Sequence, residues 1–243
     1  MVYILSLIED YSHQDLLDPS KMQTIVCDFD RTLTDESLIP SREAFEAIKK
    51  AKVLGLRFII VSGRPLDFLL SIEEILQTAT AVVAENGAIA FELSTRKKSS
   101  PFVDESRVIK EAFQRSGLKF QQSEVMTSLS RRHEKEVRAI IARDKLDAEI
   151  HFNIDSIMIL PTGVSKGSGL LLVLNLIGVP KLGIICFGDG ENDMPLFEEA
   201  DISVAVANAL TEVKAKADIV TSLPGGRGVA ELVNKMLPNF GRL

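Results

Sequence analysis

The stretch that decides the fold is Thr24-Ile25-Val26-Cys27-Asp28-Phe29-Asp30-Arg31-Thr32-Leu33-Thr34, in which a short apolar, β-branched run passes directly into two carboxylates. Thr24–Cys27 reads as a buried strand, because β-branched and apolar residues without a helical period suit a strand covered on both faces. Working outward, Ser41 is placed to cap a helix, with Ala44, Phe45, Ile48, Ala51 and Leu54 at helical spacing before Gly55. Phe58–Val61 is a second apolar strand, ending at Ser62-Gly63-Arg64-Pro65; a helix over Leu66–Leu76 and a strand over Ala81–Ala84 follow. Strands apolar on both faces and alternating with amphipathic helices predict an α/β fold, a doubly wound, mostly parallel sheet.

The alternation breaks after residue 87. Between 88 and 161 the spacing predicts short strands at Ala88–Phe91, Glu124–Ser128, Ala148–Phe152 and Ser156–Leu160, with helices at Arg107–Ser116 and His133–Arg143. The stretch reads as a small α+β unit inserted into a larger domain made of residues 22–87 and 162–243. The alternation resumes with helix Lys166–Ile177, strand Gly183–Phe187, helix Met194–Glu199, strand Ile202–Val206 and a closing helix over Val229–Leu237. Residues 1–21 read as an N-terminal extension: Met1–Ile8 is apolar but too short to span a bilayer, and it lacks the basic flank of a secretory signal.

Composition narrows the function. A net charge of −6 over 243 residues argues against a large basic nucleic-acid face. The two cysteines, Cys27 and Cys186, close apolar runs and read as buried thiols of a reducing compartment.

Chemistry gathers at strand ends, where open sheets of this kind bind ligands. Asp28 and Asp30, side by side, repel unless a cation sits between them or one holds a proton. That suits a nucleophile beside a proton donor near a divalent metal, although two aspartates in a plain turn would look the same. Gly188-Asp189-Gly190-Glu191-Asn192-Asp193 packs three acids into six residues after a strand, a hard-oxygen set that favours Mg²⁺. Lys166 opens a helix, where the dipole disfavours a cation. The Ser62 hydroxyl and Gly63 amide follow the second strand and can hold a phosphate oxygen, though each is equally a turn residue.

Together these segments resemble the haloacid dehalogenase superfamily. Asp28 to Thr34 resembles its first motif, Ser62 in Val61-Ser62-Gly63-Arg64 its second, Lys166 its third, and Gly188 to Asp193 its fourth. The insert, with Glu85-Asn86-Gly87-Ala88 at its entry, is similar to the Cof-like branch with a C2-type cap, and most like the archaeal phosphoglycolate phosphatase group. The resemblance implies that Asp28 is the nucleophile and Asp30 the acid/base. It implies Mg²⁺ held by Asp28, Asp30 (through its carbonyl), Asp189 and Asp193, and phosphate held by Ser62, Gly63, Lys166 and Asn192. It further implies a cytoplasmic monomer or homodimer acting on a small phosphorylated metabolite, with no nucleic-acid or membrane partner. 2-Phosphoglycolate is the first expectation, and a sugar-phosphate phosphatase, a phosphomutase or a metabolite-sensing protein are the alternatives. One position departs from the family pattern: Arg31 stands where glycine is usual.

Overall fold

The computed structural model describes residues 22–153 and 156–239, so the extension read over 1–21 lies outside the described residues. Two sheets organise the chain. The larger has eight strands in the order β12-β11-β10-β1-β2-β3-β4-β5. Its parallel centre is β1 (Thr24–Asp28), β2 (Arg57–Val61), β3 (Ala81–Ala84), β10 (Ile184–Gly188), β11 (Ile202–Ala205) and β12 (Ile219–Val220). β1 and β10 are buried along their whole length, as a parallel sheet covered on both faces requires. Helices α1 (Arg42–Val53) and α6 (Lys166–Ile177) join the strands, α1 capped by Ser41, whose hydroxyl accepts from the Ala44 amide.

The smaller sheet is antiparallel, in the order β6-β7-β9-β8, built from β6 (Gln121–Gln122), β7 (Thr127–Ser130), β8 (Ala148–Asn153) and β9 (Ser156–Pro161). Strand alternation divides its faces. Ile157 and Ile159 pack with Ile109 and Phe113 of α4 (Val103–Ser116) and with Val137 and Ile140 of α5 (Glu134–Asp144). Met158 and Leu160 join the core of the larger sheet instead. The insert therefore turns one face of its sheet toward the strand ends.

Several expectations change. The run read as the insert's first strand is β4 (Ile89–Glu92), which pairs antiparallel with β3 and extends the large sheet. An uncharged apolar run suits either sheet, so pattern alone cannot assign it. The single helix read over Leu66–Leu76 is two, α2 (Leu66–Leu70) and α3 (Glu73–Thr78), with Ser71 Oγ donating to the Phe68 carbonyl (2.7 Å) at the break. The strand read from Glu124 begins only at Thr127, because the amides of Glu124, Val125 and Met126 donate to the Glu85 carboxylate instead of a ladder. β5 (Lys98–Ser99), β6, β12 and α8 (Thr211–Lys216) were not foreseen.

Candidate active site

The register of the parallel strands assembles the site. Asp28, the last residue of β1, lies opposite Val61 of β2, so Ser62 follows at the same level; on the other side Cys27 lies opposite Phe187, which brings Gly188 and Asp189 alongside. β1 thus sits where the chain order reverses, between β2 and β10, the crevice that open α/β sheets use for ligands.

At its floor Lys166 Nζ donates to Asp28 Oδ1 at 2.6 Å and to Asp193 Oδ1 at 2.5 Å, with all three side chains at most 6% exposed. This accounts for a lysine at a helix N-terminus: two buried carboxylates outweigh the dipole. Burial opposes the lysine's charge, but Asp193 and Asp28 more than offset it and drive its pKa up. The other oxygen of Asp193 accepts the amides of Asp189 and Gly190, both at 2.9 Å. The close turn needs glycine at 188, where a Cβ would lie 2.6 Å from that of Asp193.

Carboxylate oxygens of Asp28, Asp189 and Asp193 lie within 4.8 Å of one another. Burial pushes the Asp28 carboxyl well above the ordinary range; Lys166 opposes the shift, while Asp193 and Asp189 add to it. Asp189 is pushed up to about 6 by burial and by Asp193, against Arg31 and Lys166. Three acids around one buried lysine leave excess negative charge in low dielectric. The site's hard oxygen donors and its unbalanced charge fit a divalent hard cation.

Asp30 faces another partner. Arg64 grips both its oxygens, Nε to Oδ2 at 2.9 Å and Nη2 to Oδ1 at 2.9 Å. The guanidinium also lies over the Phe68 ring, 4.8 Å from its centroid, and Phe68 stands edge-on to Phe29. The fork has a fixed geometry, so this clamp orients the carboxylate. The Arg64 amide donates to Ser62 Oγ (3.1 Å), which orders the turn around Gly63.

The insert supplies the roof. His151 of β8 lies opposite Met158 of β9, hence on the same face, and a Cβ on Gly63 would sit 3.6 Å from Met158 Sδ. His151 Nδ1 lies 3.4 Å from Asn86 Nδ2, and Asn86 Oδ1 accepts from Asn192 Nδ2 at 3.1 Å. This chain links the insert to the fourth motif. Beneath it, buried Glu85 accepts three amides at 2.8–3.0 Å and fastens the loop before β7 to the end of β3. Burial raises its pKa despite those bonds.

Of the residues singled out from sequence, Asp28, Lys166, Asp189 and Asp193 converge on one buried cluster, Asn192 joins Asn86, and Asp30 and Ser62 are both bonded to Arg64. Arg64 and Asn86 stood inside quoted motifs without a role. His151 falls in the strand read over Ala148–Phe152, and its period-2 place there is the one sequence signal for it.

A family model described as haloacid dehalogenase-like hydrolase matches residues 25–115 and 97–233, and the chain belongs to that family. It is a phosphoric monoester hydrolase. Among its relatives, a phosphoglycolate phosphatase of Sulfurisphaera tokodaii is 35% identical over 227 residues, covering 88% of this chain and 93% of its own. Phosphoglycolate phosphatase 2 of Saccharolobus solfataricus is 37% identical over 239 residues, covering 90% and 94%. The fold matches a haloacid dehalogenase-like hydrolase from Bacteroides thetaiotaomicron with TM-score 0.76 at 20% identity, over 89% of this chain and all (100%) of that one. Among the described residues no helix is long and apolar enough to cross a membrane.

Proposed function

We propose that the site hydrolyses a small phosphate monoester, 2-phosphoglycolate first and a sugar phosphate second, in two steps through a phosphoryl group on Asp28. The observation that carries this reading is the buried cluster at the strand ends, in which Asp28 is held by Lys166 and faces Asp189 and Asp193. The choice of 2-phosphoglycolate rests on the names of the relatives.

In the first step an oxygen of Asp28 attacks phosphorus and the bond to the leaving oxygen breaks, while the Asp30 carboxyl group gives that oxygen a proton. In the second, Asp30 takes a proton from the water that attacks the aspartyl-phosphate and frees inorganic phosphate. Such transfers depend on positioning and on neutralising charge over the phosphoryl oxygens. Lys166, the Ser62 hydroxyl, the Gly63 amide and Asn192 are suited to those oxygens, and Arg64 holds Asp30 in line. Mg²⁺, when bound by Asp28, Asp189 and the Asp30 carbonyl with Asp193 in support, supplies the remaining positive charge. His151, Met158 and Asn86 close the leaving-group side.

The experiment is a phosphate-release screen over a metabolite panel, with Mg²⁺ present or chelated, and Asp28→Asn as the blank. Release from 2-phosphoglycolate that needs both Mg²⁺ and Asp28 is expected. Preference for a sugar phosphate would move the substrate assignment, a bisphosphate intermediate would make the enzyme a mutase, and an active Asp28→Asn protein would reject the nucleophile.

A further inference from the structure

We propose that Arg31 is a resident counter-cation of the divalent site: it pairs with Asp189 before the metal ion arrives, competes with it, and so sets its affinity. The proposal rests on the reading of Asp28, Asp189 and Asp193 as that site.

Arg31 has φ 63°, a left-handed backbone that disfavours any residue with a Cβ. That backbone is held independently of the side chain. Its amide donates to Thr34 Oγ1 at 2.7 Å and its carbonyl accepts from Asn208 Nδ2 at 3.0 Å. Glycine or asparagine would suit the turn better, and neither would carry a charge. The side chain present instead brings Nε to 3.4 Å from Asp189 Oδ2. The remaining oxygen, Asp189 Oδ1, accepts from Thr32 Oγ1 at 3.3 Å. Lys166 pairs with Asp28 and Asp193, so the two cations divide the three acids between them.

A cation beside a metal-binding carboxylate has two opposed effects. It holds the carboxylate ionised and in place, which helps the ion bind, and it repels the ion and occupies a lone pair, which hinders it. Repulsion scales with the product of the charges, two for a divalent ion. Thr32 already orients Asp189, so orientation adds little here. Repulsion wins, and Arg31 weakens metal binding.

The test is calorimetric titration of Mg²⁺ into the metal-free wild type and into Arg31→Gly, Arg31→Asn and Arg31→Lys. Asparagine tolerates the left-handed backbone, so it serves as a second uncharged variant should the glycine variant fold poorly. Arg31→Gly and Arg31→Asn are expected to bind Mg²⁺ about tenfold more tightly, equivalent to about 1.4 kcal/mol, and Arg31→Lys as the wild type does. The gap should narrow as added salt screens the charge. Wild-type affinity in both uncharged variants, or equally tight binding by Arg31→Lys, would overturn the proposal. A wild type that binds no Mg²⁺ would remove the metal site itself, and Arg31's role with it.

Discussion

Replacing Lys166 with methionine isolates the electrostatics of the site in a stability measurement. Lys166 is 2% exposed and contacts Asp28 and Asp193 at 2.6 and 2.5 Å. At an effective dielectric near 20, each contact carries about 6 kcal/mol of Coulomb attraction, most of it cancelled by desolvation of the ions. Deleting one partner of a buried pair leaves the other charge uncompensated and typically costs about 3–5 kcal/mol. For a chain of this size that is a melting-temperature drop of about 6–20 °C. The deficit should depend on pH. Asp28 and Asp189 have folded pKa values raised by burial, so the folded state binds more protons than the unfolded one, and stability falls as pH rises through that window. Without the lysine this dependence steepens, and the variant's deficit should shrink between pH 7 and pH 5. Mg²⁺ should also stabilise the folded variant, by about 2.7 kcal/mol at a hundredfold excess over its dissociation constant. The assay is thermal or denaturant unfolding of metal-free protein at both pH values. A variant within about 1 kcal/mol of wild type at pH 7, below the range for a broken buried pair, or a deficit unchanged at pH 5, would refute the reasoning.

Asp189→Asn removes a carboxyl pushed up to about 6 in the folded protein from an unfolded value of about 3.9. The metal-free variant should therefore gain on wild type as pH rises from about 4 to 6, by up to about 3 kcal/mol, then run parallel; pH-resolved unfolding curves check this. Arg64→Ala frees the Asp30 carboxylate from its clamp, and kcat should fall by about 10²-fold with little change in stability, since a misplacement of about 1 Å costs that much. Steady-state kinetics beside a melting curve separate the two effects. Glu85→Gln leaves three amides competing for one carbonyl oxygen and turns a donor toward them; a loss of about 1–3 kcal/mol, with faster hydrogen exchange at residues 124–126, is expected.

Legibility in the sequence followed the range of the interaction. Helix α6 occupies Lys166–Ile177 as its spacing predicts, and the strand ends at Asp28 and Val61 fall where apolar runs meet polar residues. Elements of two residues, β5, β6 and β12, are too short to carry a period. Helix α9 (Gly225–Met236) starts four residues before the expected Val229, because Gly225-Gly226-Arg227-Gly228 reads as a loop. The glycines are there for approach: a Cβ on Gly226 would lie 2.2 Å from that of Ser41, at the start of α1. Partners far apart in the chain were the least visible. Arg64 meets Asp30 across 34 residues and His151 meets Asn86 across 65, and no local pattern encodes either pairing.

The acids of this chain separate by what their hydrogen bonds do. Glu85 accepts three amides, Asp218 takes the amide and hydroxyl of Ser203, and Asp201 takes the amide of Ile184. Each satisfies backbone that would otherwise be orphaned, so removing one should destabilise the fold. Asp28 and Asp189 are different: burial and neighbouring carboxylates raise both, so the metal-free fold holds them at a cost. That cost is borne by the surrounding sheet, where Phe58, Ile59, Ile60 and Phe187 are fully buried. Asp193 joins the two groups, with one oxygen capping the turn and the other on Lys166. A neutral residue at 189 should therefore relieve strain, whereas one at 193 should also release the turn that aims Asp189. Comparing Asp189→Asn with Asp193→Asn at pH 7 without Mg²⁺ decides the point: the first should stabilise the fold and the second should not. If both stabilise it alike, Asp193 is one more repelling charge rather than the strut of the site.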